Sequence, residues 1–324
     1  MVGKHHIIIE TSKLKYSFHI RRNITIIQGE SATGKTTLIE LLADYKRRGP
    51  GQGINVSSDI PVYVYTGEDK NWKYELDNVK RSLVFVDEDY SFIYTKEFAA
   101  YLAASDNYYV FITRKPLYAL PYSTQEIYGI RTSGKFHFPE QVYHEFYPIY
   151  PVRQAVTDNK KLMILVEDKE AGYQFYKNVA GEERCISAEG NSNIYSKMIE
   201  TDSSDGVLII ADGAAFGPFV DKLVKYATIK QNVALFFPES FEWMILKSGI
   251  LHNALIDEIL AKPEDYIDNT RYISWERFFT ALLQDITSAD PIKQYSKSSL
   301  PSFYTGENAK SILHVMPEEI RRLI

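Results

Sequence analysis

The sequence predicts an α/β protein of two domains built on buried parallel strands, followed by a helical C-terminal stretch. Three observations carry that expectation. "NITIIQG" reads as a strand that ends in a glycine-rich loop, and "TTLIELLADYKRR" follows it at helical spacing. "RSLVFVDEDY" and "NYYVFITR" are continuous apolar runs of the kind found inside parallel sheets, where both faces are covered. The same rhythm restarts after residue 160 with "KLMILVEDKEAGYQFYKNV" and "GVLIIADGAAFGPFVDKL", which predicts a second α/β domain.

Length and composition agree with this plan. A chain of 324 residues suits two domains of about 150 each, and the expected division is 1–150, 151–250 and a helical region from 251 to 324. With 45 % apolar residues, 24 Tyr and 17 Phe, the chain should fold throughout. Its first residues, "MVGKHHIIIE", lack the apolar core of a signal peptide, and no run reaches the ~18 apolar residues of a membrane span. The single Cys185 excludes an intrachain disulfide framework and does not suit a Cys-rich metal site. A cytoplasmic setting without membrane attachment is the expectation.

Net charge is −5 and unevenly shared. Residues 1–150 carry 18 Lys/Arg against 17 Asp/Glu, and residues 151–324 carry 19 against 25. Neither half binds polyanions by bulk charge. The clusters Lys13, Lys15, Arg21, Arg22 and Lys46, Arg47, Arg48 read as a hairpin face and a helix end, with phosphate contact as the alternative.

The first candidate site is the loop itself. Gly29, Glu30, Ser31, Ala32, Thr33, Gly34, Lys35 and Thr36, with Thr37 next, match G-x-x-x-x-G-K-[ST]. Glycines permit backbone angles that turn successive N–H groups inward into a nest for anionic oxygens. Lys35 brings a positive charge to β- and γ-phosphates, Thr36 a hydroxyl to Mg²⁺, and the helix that follows the positive end of its dipole. ATP with Mg²⁺ is the expected ligand. "LVFVDED" then delivers Asp87 to a strand end, where it is expected to serve Mg²⁺ through the ion's water shell.

"HHIIIETSKLKYSFHIRRNITIIQGESATGKTTLIELL" resembles the opening of an ABC/SMC-type ATPase head, a P-loop NTPase in which an antiparallel hairpin precedes the loop strand. The resemblance implies that Glu88 polarises the attacking water, with a solvated acidic turn as the alternative; Thr113-Arg114, ending the next strand, read as ordinary surface, with a γ-phosphate sensor as the alternative that the resemblance offers. The chain departs from that family after the loop. Asp87 comes 52 positions after Lys35, no Leu-Ser-Gly-Gly-type signature lies between them, and no long heptad arm follows. The element that completes a partner's ATP site in that family is missing.

The chain between the domains carries two prolines, Pro148 and Pro151. Just before it, "EIYGIRTSGKFHFPEQVYHEF" reads as a hairpin turning at Thr132-Ser133-Gly134. Its Phe136, Phe138, Tyr143, Phe146 and Tyr147, with Tyr150, read as packing between domains; base stacking is the alternative.

In the second half, Glu167-Asp168 and Asp212 close two apolar strands, so Glu167 and Asp212 face one another across the ligand crevice of an open sheet. The pattern resembles a Toprim domain, the Mg²⁺-binding module of topoisomerases, primases and OLD-family nucleases, and above all the Toprim-like domains attached to ABC-type ATPases in bacterial anti-phage systems. The resemblance assigns the first glutamate to Glu167, a glycine-rich segment to "AEGNSN", the metal-binding strand end to Asp212, and a further acidic segment to "FFPESFEWMIL" with Glu239 and Glu242. It fails at Gly213-Ala214, where Asp-x-Asp needs a second aspartate; two-metal hydrolysis needs carboxylates for ions about 4 Å apart. A divalent cation is expected to relieve the repulsion between Glu167 and Asp212, with little or no cleavage of DNA.

"HNALIDEILA", "SWERFFTALLQDI" and "MPEEIRRLI" read as helices, the last begun by Pro317. Phe278, Phe279, Leu282 and Leu283 belong to a core, and no chemistry is assigned there. Together these features predict an ATPase coupled to a Toprim-like effector, with DNA or RNA as partner in nucleic-acid handling or anti-phage defence. The alternative is a nucleotide-dependent switch whose C-terminal domain binds a protein partner. A small-molecule kinase ranks below both, since no arginine-rich lid is evident.

Overall fold

Strands apolar on both faces belong inside a sheet and strands with one polar face at its rim. The computed structural model sorts the strands of this chain in that way. The structure describes residues 1–29, 33–137, 141–154, 156, 161–201 and 206–324. These form two compact units, Met1–Ile149 with Lys262–Ile273, and Tyr150–Ala261 with Ser274–Ile324. Among the described residues no helix is long and apolar enough to cross a membrane.

The first unit runs β1 (His5–Glu10), β2 (Leu14–Ile20), β3 (Ile24–Ile27), α1 (Lys35–Arg48), β4 (Asn55–Ser58), β5 (Val62–Val64), α2 (Trp72–Leu76), β6 (Leu83–Asp87), α3 (Lys96–Ala103), β7 (Tyr108–Ile112), β8 (Ile127–His137) and β9 (Gln141–Pro148). They make one mixed sheet in the order β4-β1-β2-β9-β8-β3-β7-β6-β5. Its centre, from β8 to β5, is parallel. Every residue of β3 and β7 is buried, and β6 is buried up to Asp87. β1 and β2 form the antiparallel hairpin expected before the loop strand, and β1 alternates buried and more exposed residues. α1 covers the sheet through Leu38 and Leu42, ends in Lys46–Arg48 where basic charge complements the dipole, and stops at Gly49 with φ +78°.

The parallel ladder sets the position of the strand ends. Ile27 pairs with Ile112, and Ile112 pairs with Asp87. Two inter-strand spacings separate β3 from β6, so Asp87 lies roughly 10 Å from the last residue of β3 at the same level. The start of β3 is anchored by Glu126, which is fully buried and accepts from Arg21 Nε at 2.9 Å, Arg22 Nε at 3.1 Å and Tyr128 Oη at 3.1 Å.

Three expectations are corrected here. Thr132-Ser133-Gly134 is not the hairpin turn. β8 continues past it to His137, and the register with β9 shifts between Thr132 and Phe136, so the polar triplet forms an irregularity within the strand. The C-terminal helices do not make a region of their own. Residues Lys262–Ile273 return to the first unit, where Asn269 Nδ2 donates to Ser105 O and Asn107 O at 3.1 and 2.9 Å and Asn23 Nδ2 donates to Ile273 O at 2.8 Å. Phe146 stacks on Phe18 with centroids 3.8 Å apart, and Tyr147 lies against Gly129, so these rings pack within the first unit's sheet. Phe138 lies outside the described residues.

The second unit holds β10 (Arg153–Gln154), β11 (Met163–Val166), α4 (Ala171–Ala180), β12 (Cys185–Ser187), α5 (Ile194–Thr201), β13 (Val207–Ile210), α6 (Gly217–Ile229), β14 (Val233–Phe236), α7 (Phe241–Lys247), α8 (Ala254–Ala261), α9 (Trp275–Thr287), α10 (Ser302–Thr305), α11 (Ala309–His314) and α12 (Glu318–Arg321). Its sheet order is β10-β14-β13-β11-β12, parallel except for β10 at the edge. Val166, Ile210 and Phe236 share one level, which brings the ends of β11, β13 and β14 together.

If Glu126 pins the start of β3 to the start of β8, Glu126→Ala removes the carboxylate shared by a buried and a half-buried guanidinium. Such losses cost about 3 kcal/mol. Amide hydrogen exchange in Ile24–Ile27 should then quicken roughly 100-fold; exchange at the wild-type rate would show that the network does not hold these strands.

Candidate functional site

The loop after β3 is shaped by two glycines. Gly29 has φ +142° and Gly34, which begins α1, has φ +94°, angles that side chains resist. Space also excludes a side chain at Gly34, since a Cβ there would come within 2.9 Å of Tyr16 Oη. That hydroxyl donates to Gly34 O at 3.0 Å and so ties the loop to β2. Lys35 is 6 % exposed and reaches back over the loop, Nζ donating to Gly29 O at 2.8 Å and Thr33 Oγ1 at 2.9 Å. Thr36 is exposed and Thr37 half-buried. Glu30, Ser31 and Ala32 lie outside the described residues.

Beside the loop is a cavity of about 480 Å³. It is lined by residues 33–37, by Leu14, Tyr16 and His144, and by Arg114. An ammonium, the N–H groups of a helix start and glycine-bent backbone favour an anion with several oxygens.

The end of β6, two strands away from β3, adds acid. Asp87 Oδ1 accepts the Glu88 N–H at 2.6 Å. Burial raises the Asp87 carboxyl above its ordinary range, and that hydrogen bond opposes the rise. Glu88 is engaged by Arg114: its Oε2 accepts the Arg114 N–H at 2.7 Å and its Oε1 lies 3.3 Å from Arg114 Nε. With Arg114 59 % and Glu88 29 % exposed, that pair is weak. The Thr113 hydroxyl does not point to the cavity wall as the sensor expectation required; it is 1 % exposed and bonds to the Lys115 backbone and to Tyr94 Oη. Of the two sensor candidates, only Arg114 lines the cavity.

In the second unit Glu167 and Asp212 do meet at neighbouring strand ends, lining one small space with Asp168. Asp168 serves as a helix cap, accepting Gly172 and Tyr173 N–H groups at 3.1 and 2.8 Å. Asp212 Oδ1 accepts the Phe241 N–H at 3.1 Å, at the start of α7. Glu242 on α7 is 1 % exposed; Oε1 accepts Tyr295 Oη at 2.7 Å, and Oε2 has no hydrogen-bond partner. Two residues to which the sequence assigned no chemistry complete the group. Glu276, in the first turn of α9, and Lys297 pair at 2.9 Å, and Lys297 Nζ also lies 4.0 Å from Glu242 Oε1.

The charge balance follows from this geometry. Burial, then the Glu276 and Asp168 carboxylates, push Glu167 up to about 7, with Lys297 opposing. Burial, then Glu276, Glu242 and Glu167, raise Asp212 well above the carboxylate range. Burial alone pulls the Lys297 ammonium down, but Glu276, Glu242 and Asp212 more than offset it and hold lysine charged.

These residues do not fit a resident two-metal centre. The space beside Glu167 and Asp212 is about 10 Å³, the lower limit for a single water. Ala214 stands where a second aspartate is needed, 2 % exposed, its N–H donating to Glu239 O at 3.1 Å. Among the described residues no group of three or more His, Cys, Asp or Glu is set to hold a metal ion. The cation in this cluster is Lys297.

Comparison with protein-family models, with curated proteins and with solved structures finds no match.

Lys297→Met should therefore destabilise the second unit by about 2 kcal/mol, less than a fully buried pair because the ammonium is partly exposed, lowering its melting temperature by roughly 4–8 °C. Mn²⁺ should restore part of that loss in the variant and leave the wild type unchanged. Equal Mn²⁺ shifts in both proteins would show that the ammonium does not take a cation's place.

Proposed function

We propose that the first unit is a P-loop NTPase that binds MgATP and hydrolyses it. The observation that carries this is the combination of the Lys35 ammonium folded over a glycine-bent loop with Asp87 ending β6 at the level of Ile27. In this account the ammonium and the first N–H groups of α1 hold the β- and γ-phosphates. The exposed Thr36 hydroxyl and Asp87 hold the Mg²⁺ that enters with the nucleotide. One or two protein ligands suffice, because phosphates and water complete the octahedron.

Hydrolysis needs a group to orient water and take its proton. Glu88 stands next to Asp87 and is held by Arg114 through a weak, partly solvated pair. A γ-phosphate competes for the Arg114 guanidinium, which lines the same cavity as Thr36. Once Arg114 turns to phosphate, Glu88 Oε1 is released to accept a proton from the attacking water. The water oxygen bonds to the γ-phosphorus, the bridging P–O bond breaks, and ADP leaves.

The second unit is proposed as the effector coupled to this ATPase, with the Toprim-like pattern of strand-end acids as its basis and DNA or RNA as the partner class. Lys297 among those acids favours the alternative in which the unit binds a partner, nucleic acid or protein, without two-metal cleavage. No step is assigned to a metal there.

Two substitutions separate binding from turnover. Lys35→Ala should weaken ATP binding in calorimetry while melting as the wild type does. Glu88→Gln should keep ATP affinity but hydrolyse it at least ~100-fold more slowly, whether or not DNA or RNA is added. Unchanged ATP affinity in Lys35→Ala, or full turnover in Glu88→Gln, would contradict these roles.

A further inference from the structure

The carbonyl of Gly34 carries two hydrogen bonds where a helix start needs one. The Leu38 N–H donates to it at 3.0 Å as the first turn of α1 closes, and Tyr16 Oη donates to it at 3.0 Å from β2. Tyr16 is fully buried. Its ring is backed by His144, its register partner in the parallel pair β2–β9, with centroids 4.5 Å apart and planes inclined by 12°. The half-buried imidazole also lies beside the loop, Cε1 and Nδ1 being 3.4 and 3.5 Å from where a Cβ on Gly34 would sit. Two stacked rings from the sheet are thus set against one peptide of the loop.

That peptide matters because of the group on its other side. A trans peptide is planar, so its C=O and N–H point in opposite directions. Holding Gly34 O therefore aims the Lys35 N–H, the first of α1, away from Tyr16 and out of the helix start, where unpaired N–H groups meet anions. The Leu38 bond alone is a weak restraint, because helix ends fray. Gly34, at φ +94°, has no side chain to restrict its rotation. A hydroxyl carried on a buried strand ties the peptide to the sheet instead.

We infer that Tyr16, backed by His144, is a positioning residue for phosphate binding: its hydroxyl holds the Gly34–Lys35 peptide in the orientation that presents the Lys35 N–H to a terminal phosphate. The inference rests on the proposed nucleotide binding at the loop and adds a residue that acts through the loop backbone. The ring of Tyr16 fills space beside Gly34, and the hydroxyl sets the peptide.

Tyr16→Phe separates the two, since it deletes the hydroxyl and keeps the stacked ring. Mg²⁺ complexes of ATP and of inorganic tripolyphosphate are titrated calorimetrically into the full chain and its Tyr16→Phe, His144→Ala and His144→Phe variants, with melting recorded for each. One neutral hydrogen bond corresponds to roughly 2–10-fold in affinity. Tyr16→Phe should lose that factor equally for both ligands while melting within roughly 2–4 °C of wild type. His144→Ala, which leaves the tyrosine ring unsupported, should lose affinity for both ligands, and His144→Phe should recover it. In the Tyr16→Phe background His144→Ala should cost nothing further. Wild-type affinity for both ligands in Tyr16→Phe would overturn the inference. So would a loss confined to ATP, which would place the effect of the hydroxyl at the nucleoside, and losses that simply multiply in the double variant would contradict the backing role of His144. Failure of wild type to bind either ligand would instead count against the nucleotide reading itself.

Discussion

The hydrogen-bond register of β3, β7 and β6 is the constraint on which the first unit's chemistry depends. A parallel ladder fixes where each strand ends relative to its neighbours. Here it places Ile27, Ile112 and Asp87 on one line. A slip of one residue would move Asp87 about 3.3 Å along its strand and turn its side chain to the opposite face. The interposed β7 matters equally. It spaces the loop strand from the acidic strand end by roughly 10 Å, the gap into which the proposed function puts a triphosphate with hydrated Mg²⁺.

The second unit uses the same device with the opposite sign. Strand ends of β11 and β13 converge, but they deliver Glu167 and Asp212 where the first unit delivers glycine-bent amides and Lys35. Carboxylates gathered in this way repel one another and resist ionisation. A buried acid group of this kind needs a cation or protons, and the chain supplies Lys297, anchored on Glu276 at 2.9 Å. The lysine is therefore a positioning element for the cluster as much as a partner of one glutamate.

Much of this fold was readable in the sequence because its signals are local. Continuous apolar runs located β3, β6, β7, β11 and β13, and a glycine loop before a helix located the first site. Other features escaped for a physical reason: they are made by residues far apart in the chain. Tyr16 and His144 touch only because β2 pairs with β9. In the sequence Glu276 is an acid at the start of a helical stretch and Lys297 a charge in the polar stretch "KQYSKSSL"; neither carries a mark of the other. Thr132-Ser133-Gly134 has turn composition yet lies within a strand, because the pairing on either side continues. The return of Lys262–Ile273 to the first unit rests on asparagine amides satisfying backbone carbonyls, a contact without sequence periodicity.

The loop from Gly29 to Thr37 is proposed to grip the terminal phosphates of a nucleotide. Calorimetric titration of the wild-type full chain with ATP, ADP and AMP in Mg²⁺ tests it most directly. Each charge-assisted hydrogen bond to phosphate contributes about 1.5–3 kcal/mol, so ATP and ADP should bind and AMP should bind at least ~10-fold more weakly. AMP binding as tightly as ATP, or no binding of any of the three, would contradict the account.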